Sequence, residues 1–359
     1  MKILLISNHS YMLYRTRREL IQELMKDHEV VLAMPFAGHE GDFQAMGLRC
    51  IHTEVDRRGM DPRADGKLLR TYLRILQEEQ PDLTITYSIK PNIYGGLLCA
   101  ALGIPYCANV QGLGSAFQRR VLSQFVTVLY RAALRKAKTV LFENQGDARK
   151  FLDKKIISPQ QTAVLPGAGV NLEQFPLCPY PCNPRIHFLY LGRIMGEKGI
   201  GELFTALRRL HREMEGRIVL DLVGFFDDHY EAEVNRLVSE GIVRFHGFHW
   251  DPQPYYAAAD CIVLPSYHEG MSNVLLEAAA TGRPVITSSI HGCREAVDDG
   301  KTGLLCPVRD ADSLYARMRQ MAMLSREDRA AMGLAAREKM AREFEKNDVV
   351  RQSIHAILS

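Results

Sequence analysis

Two series of short β-branched or aliphatic runs, each followed by a helix-length amphipathic stretch, flank a segment with four prolines, Pro176-Leu177-Cys178-Pro179-Tyr180-Pro181-Cys182-Asn183-Pro184. Alternation of this kind predicts parallel α/β architecture. A segment so rich in proline cannot be a regular element and reads as a linker. The pattern therefore predicts two Rossmann-like domains facing each other across a cleft. The first spans 1–175, the linker 176–184 and the second 185–342, with a last helix over 343–359 packing back on the first domain. A length of 359 residues agrees with this, since it exceeds the size at which one hydrophobic core usually keeps growing.

In the first half strands are expected near 2–7, 29–34, 48–53, 83–87, 106–110, 139–142 and 162–165, with helices between them, for example over 14–26 and 67–80. The pattern restarts with a strand at 187–191, a helix at 199–215, a strand at 218–223 and a helix at 229–240. Strands at 243–246 and 261–264, a helix at 272–281 and a strand at 284–287 follow, and helical sequence dominates from 310 onward. The N-terminal apolar run is too short for a signal peptide or a membrane span. The uncharged stretch 91–118 is long enough to cross a bilayer, but Gly103-Ile104-Pro105 divides it into a buried helix and a strand.

The eight cysteines are scattered without a CxxC pair, as in a reduced, cytoplasmic protein. The net charge of +3 hides an asymmetry: residues 1–165 hold 23 basic and 16 acidic side chains, and the remainder is acidic. The first half is thus expected to face something anionic. Nothing in the pattern calls for a nucleic acid.

Two constellations carry chemistry. Leu191-Gly192-Arg193-Ile194-Met195-Gly196-Glu197-Lys198-Gly199 follows a strand and opens a helix. Two cations there, beside free amides and the positive end of a helix dipole, form an anion site. Arg193 can bind phosphate oxygens in a bidentate way and Lys198 as a mobile point charge. The second, Glu269-Gly270-Met271-Ser272-Asn273-Val274-Leu275-Leu276-Glu277, also follows a strand. Gly270 lets backbone approach a ligand, and the amides of Met271, Ser272 and Asn273 point out of a helix start. Ionised carboxylates accept pairs of hydroxyl donors, and eight helical residues span about 12 Å, enough to separate a hexose from a ribose. Taken singly, the first run is more often a solvated loop, and the second a cap with an exposed helical acid.

In combination the residues resemble the retaining glycosyltransferases of family four (group one), which have the two-Rossmann-domain GT-B fold. The matching pieces are G-R-x3-E-K-G at 192–199, E-G-x-x-N-x3-E at 269–277, and the segment 295–305. The resemblance implies that Arg193 and Lys198 bind the donor diphosphate, Glu269 the donor sugar and Glu277 the ribose. It places Asn8 and Ser10 after the first strand, although relatives have a glycine-rich turn there and this chain has none. Lys90, within Ser88-Ile89-Lys90-Pro91-Asn92, and Gln111, within Asn109-Val110-Gln111-Gly112-Leu113-Gly114, look like a branch acting on bacterial surface glycans and lipid-linked oligosaccharides. Many other relatives carry a histidine in the second of these loops. Gln111 and Gly112 stand here instead, so no histidine role is carried over.

The implied reaction moves a sugar, an N-acetylhexosamine or galactose from a UDP-sugar, to a hydroxyl of a lipid-linked saccharide, giving an α-linkage with retention. Gly247 and Phe248 would meet the base. Asp227-Asp228 and Asp298-Asp299 fall in connecting loops, so neither a metal nor another cofactor is expected. The alternatives are a sugar-nucleotide 2-epimerase of the same fold and a non-catalytic sugar-nucleotide binding protein. The first domain is expected to lie on the inner face of the cell membrane as a peripheral protein. The basis is Arg119, Arg120, Arg131, Arg135, Lys136, Lys138, Arg149, Lys150, Lys154 and Lys155, interleaved with Phe117, Val121, Leu122, Phe125, Val126, Val128, Leu129 and Tyr130. The alternative is a solvated basic face over a core-packed helix.

Overall fold

The structure, a computed structural model, describes residues 1–56, 61–112 and 120–359, except for the side chains of 120–122. It divides into two compact units, residues 1–168 with 347–359, and residues 169–346.

Unit 1 is built on a seven-stranded parallel sheet in the order β3-β2-β1-β4-β5-β6-β7. Its strands are β1 (Lys2–Ile6), β2 (Glu29–Met34), β3 (Arg49–His52), β4 (Leu83–Tyr87), β5 (Tyr106–Val110), β6 (Thr139–Phe142) and β7 (Thr162–Val164). Helices α1 (Ser10–Leu24), α2 (Glu40–Ala45), α3 (Pro62–Glu79), α4 (Gly96–Leu102), α5 (Arg120–Leu134) and α6 (Gln145–Asp153) connect them. Strand β4 is buried along its whole length, as a parallel strand covered on both faces must be. In α1 the buried Leu13, Leu20, Ile21 and Leu24 recur at helical spacing and face the sheet. Helix α3 starts where Asp61 accepts the amide of Arg63 and Pro62 fills the first helical position.

The uncharged stretch folds as a π-turn at Pro91–Gly95, α4 and β5, and Gly103 ends α4 in the left-handed conformation. Among the described residues no helix is long and apolar enough to cross a membrane.

Unit 2 is a six-stranded parallel sheet ordered β10-β9-β8-β11-β12-β13. Its strands are β8 (Ile186–Leu191), β9 (Ile218–Val223), β10 (Val243–Gly247), β11 (Cys261–Leu264), β12 (Val285–Ser288) and β13 (Gly303–Cys306). Helices α7 (Ile200–Glu213), α8 (Glu231–Ser239), α9 (Gln253–Ala258), α10 (Asn273–Ala280), α11 (Ala311–Met323) and α12 (Arg326–Glu343) surround it, and α13 (Lys346–Leu358) runs from the end of unit 2 into unit 1. In each sheet the strand order reverses beside the first strand, at β1/β4 and at β8/β11. That is the point where doubly wound folds leave a crevice at the carboxyl ends of their strands.

Two sequence readings change. Strand β13, at residues where no strand is expected from the pattern, pairs in parallel with β12. Gly303 opens it because a Cβ there would lie 2.5 Å from the carbonyl oxygen of Val285. The four-proline segment belongs to unit 2 and is strapped down. Prolines supply carbonyls without amide donors, and arginines fill the gap. Buried Arg283 donates to the carbonyls of Cys178 and Pro179 at 3.1 and 2.7 Å, and Arg326 to those of Tyr180 and Pro181. The Tyr180 hydroxyl donates to the carbonyl of Asp260 at 2.6 Å.

Candidate functional site

The residues singled out in the second half lie on the loops that follow β8, β10 and β11 and on α10. After β8 the chain passes Gly192 and Arg193, makes a short 3-10 turn over Gly196–Lys198, and enters α7 through Gly199 in the left-handed conformation. A Cβ on Gly199 would sit 2.2 Å from the carbonyl oxygen of Pro265, so this loop and the one after β11 are in backbone contact. The amide of Tyr267 donates to the carbonyl of Glu197 at 3.0 Å and joins the same two loops.

That contact brings Lys198 to Glu269. The ammonium lies 2.5 Å from Oε1, with both side chains largely buried. Burial alone pushes the Glu269 carboxyl up, but the Lys198 charge and hydrogen bond outweigh it, and the net position is below the ordinary value of 4.5. Glu269 is therefore an ionised acceptor at neutral pH. Arg193 is fixed at both ends. Its carbonyl accepts from the Tyr190 hydroxyl at 2.6 Å, and burial holds that phenol well above its ordinary range, so it remains a donor. Its guanidinium meets Asp227 at 2.9 Å. The neighbouring Asp228 accepts the amide of Gly196 at 2.7 Å. The Asp227-Asp228 pair, read as a plain connection, thus orders the cation loop.

Glu277 lies within α10 and is buried, with Oε2 accepting from the Tyr256 hydroxyl at 2.9 Å. The exposed-acid alternative is excluded. Ser272 precedes α10, but its amide donates to the carbonyl of Gly292 at 3.0 Å, so it is not among the amides open to a ligand. Met271 and Gly270 are buried. The glycine that this loop demands is Gly292. At φ +84° its Cβ would stand 2.4 Å from the Gly270 carbonyl oxygen. Asn273 is half-buried at the start of α10. Gly247 ends β10, where its carbonyl accepts from the amide of Gly224, and the next ring, Phe248, is exposed. Phe225 and Trp250 are also exposed and pack edge-on against Phe248, with centroids 6.0 and 5.0 Å away.

In unit 1, Asn8 is half-buried, whereas Ser10 is fully buried and its hydroxyl accepts the amide of Ala37 at 2.9 Å. Ser10 ties the β2 loop to α1 and does not present its side chain outward. Lys90 pairs with Asp65 at 2.6 Å. It adjoins Ser88, a non-glycine at φ +78°, and the π-turn, whose buried Asn92 bonds to Thr86 and to the carbonyl of Asn109. Gln111 bonds to the Met12 sulfur at 3.3 Å. Leu113, Gly114, Phe117 and Arg119 lie outside the described residues.

The basic stretch resolves into two kinds of position. On α5, Val126, Tyr130, Ala133 and Leu134 are buried, while Phe125 and Val128 are 60% and 59% exposed beside exposed Arg131 and Arg135. Lys136, Lys138, Arg149, Lys150, Lys154 and Lys155 are exposed as well. Among the described residues no group of three or more His, Cys, Asp or Glu side chains is arranged to hold a metal ion.

The chain is similar to known proteins in both halves. The family described as "Glycosyl transferases group 1" matches residues 185–323, and that described as "Glycosyl transferase 4-like domain" matches 14–168. The chain is 24% identical over 354 residues to the N,N'-diacetylbacillosaminyl-diphospho-undecaprenol alpha-1,3-N-acetylgalactosaminyltransferase of Campylobacter jejuni, covering 93% of this chain and 92% of that one. It is 26% identical to the UDP-Gal:alpha-D-GlcNAc-diphosphoundecaprenol alpha-1,3-galactosyltransferase of Escherichia coli, covering 76% and 74%. Among solved structures, Anabaena HepE in complex with UDP and glucose superposes with a TM-score of 0.82 at 18% identity, over the whole of both chains.

Proposed function

The chain belongs to the group 1 glycosyltransferases, nucleotide-sugar-dependent enzymes of GT-B fold, and from that premise we propose that it transfers a hexose derivative, an N-acetylhexosamine or galactose carried by UDP, to a hydroxyl of a lipid-linked saccharide during bacterial glycan assembly. The observation that carries the reading is the pairing of Lys198 with Glu269, beside Arg193, at the switch point of the second sheet. Arg193 and Lys198 receive the diphosphate, Glu269 the sugar hydroxyls, Glu277 the ribose and the Gly247-Phe248 backbone the base. The acceptor lies on unit 1, near Asn8, Lys90 and Gln111. The names of the Campylobacter and Escherichia relatives, both acting on diphospho-undecaprenol saccharides, support the acceptor class.

The bond from the sugar anomeric carbon to the β-phosphate oxygen breaks as the acceptor oxygen bonds to the same carbon from the same face. The acceptor proton passes to the departing phosphate, and the nucleoside diphosphate leaves. The anomeric configuration is retained and the product is α-linked. Prepositioned cations stabilise the growing phosphate charge without reorganising, and they do here what a divalent metal does elsewhere. The exposed Phe125 and Val128 amid exposed cations on unit 1 support docking on the inner, anionic face of the membrane.

The test incubates the protein with UDP-N-acetylglucosamine, UDP-N-acetylgalactosamine and UDP-galactose, with and without a lipid-linked diphospho-saccharide pool, and with a chelator in a parallel arm. Acceptor-dependent release of UDP that the chelator does not alter is expected. Sugar conversion without acceptor would point to an epimerase, and binding without turnover to a non-catalytic sensor.

A further inference from the structure

Both cations assigned to the donor diphosphate carry a carboxylate of their own. Glu269, beside Lys198, already has a role toward the sugar. Asp227, beside Arg193, has none. It stands in the loop after β9, which is zipped to the Arg193 loop: the Ile194 amide donates to the Phe225 carbonyl at 2.9 Å, and the Asp227 amide to the Ile194 carbonyl at 3.0 Å. The two loops touch at Gly224, where a Cβ would lie 1.8 Å from the Gly192 carbonyl oxygen. The carboxylate is therefore placed by backbone, not by a wandering side chain.

The pair is also lopsided. The Asp227 side chain is 14% exposed and that of Arg193 is 42% exposed, so the acid sits behind and the guanidinium projects outward. A guanidinium has five donors in a fixed fork, and a bond from Nη1 to Asp227 Oδ2 fixes the direction of the others.

We infer that Asp227 is a positioning residue that aims Arg193 and, through its own charge, limits how tightly the second unit holds a nucleoside diphosphate. The inference rests on the assignment of Arg193 to the donor diphosphate. A carboxylate a few ångströms behind the guanidinium repels the same anion that the guanidinium attracts. A site that binds a highly charged product must also release it. Asp227→Asn keeps an acceptor for the guanidinium and removes the repulsion, so product should bind more tightly and leave more slowly. Asp227→Ala removes the tether as well.

Calorimetric titration with UDP, GDP and ADP tests this on the full chain, using wild type, Arg193→Ala, Asp227→Asn, Asp227→Ala and the double variant Arg193→Ala/Asp227→Asn, at two salt concentrations. Arg193→Ala should weaken binding of the preferred nucleotide by roughly tenfold. Asp227→Asn should tighten it by roughly tenfold, with a steeper salt dependence and with kcat and KM falling together. Asp227→Ala should bind more weakly than Asp227→Asn. In the Arg193→Ala background the gain from Asp227→Asn should persist to within about threefold, because the repulsion acts on the anion directly and not through the guanidinium. Unchanged or weaker binding in Asp227→Asn, or loss of the gain without Arg193, overturns the inference while leaving the donor reading intact. If no diphosphate binds, or Arg193→Ala binds like wild type, the donor reading fails and the inference with it.

Discussion

The Lys198 ammonium lies 2.5 Å from the carboxylate of Glu269, a residue 71 positions further along the chain. Each arrives on its own loop, one after β8 and one after β11, and neighbouring strands at the switch point bring them together. The pair is complete within unit 2. A donor that uses both groups must therefore share the interaction between them.

Glu269→Gln and Lys198→Ala should each lower kcat by about 10²–10³-fold, the loss seen when a charge placed for a transition state is removed. Circular dichroism should show the fold intact. Initial rates at saturating donor check the point, and full activity in either variant would remove both assignments.

The same pair has a pH signature. The folded-state carboxyl of Glu269 titrates below the ordinary 4.5. The stability it contributes is thus fully present above that ordinary value and is lost as pH falls through the lower folded one. The stability difference between wild type and Glu269→Gln, measured by urea unfolding, should be larger at pH 7 than at pH 3.5. A difference that grows on acidification would contradict the sign.

Glu277→Ala should act through donor affinity, raising KM with little change in kcat, because a ribose contact is nearly equal in ground and transition states. Tyr256→Phe removes the hydroxyl that holds Glu277 and should raise KM by a smaller factor. A pure kcat loss in Glu277→Ala would count against the ribose role.

Gly199 combines φ +71° with a backbone neighbour 2.2 Å from the place of a Cβ. Gly199→Ala should cost about 1–3 kcal/mol of stability and depress turnover by shifting Lys198. Gly66, inside α3 with nothing within 4 Å, serves as the control, and Gly66→Ala should stabilise by roughly 0.5–1 kcal/mol. Equal unfolding midpoints for the two variants would refute the close-approach argument.

Membrane docking through α5 predicts sedimentation with anionic vesicles at low salt. Changing Arg131, Arg135 and Lys136 to Glu should abolish it, and Phe125→Ser with Val128→Ser should weaken it several-fold. About 1 kcal/mol per engaged cation makes the binding weak and reversible. Binding that survives the charge reversal would favour the alternative of a solvated basic face.

Periodicity alone located the two sheets. Strands β4, β5, β6, β9 and β11 fall at the residues expected, because a parallel strand covered on both faces is a short run of mostly apolar, β-branched or aromatic residues between turn signals. The spacing of Arg193, Lys198, Glu269 and Glu277 made a pair of cations and a pair of hydroxyl acceptors legible, and the resemblance to group 1 glycosyltransferases joined them into a candidate donor site. Edge elements were less legible. Strand β13 is four residues long and its register is set by Val285 across the sheet. The proline segment carries no sign that Arg283, a hundred residues away, supplies its missing donors. Asp227 and Tyr256 were equally silent, because the bond from Tyr256 to Glu277 and the pairing of Asp227 with Arg193 depend on which loops the sheet order makes neighbours. Side-chain type and spacing are local properties that a chain carries openly. Which carboxylate meets which cation is decided by strand order and backbone contact, and only the folded protein holds that.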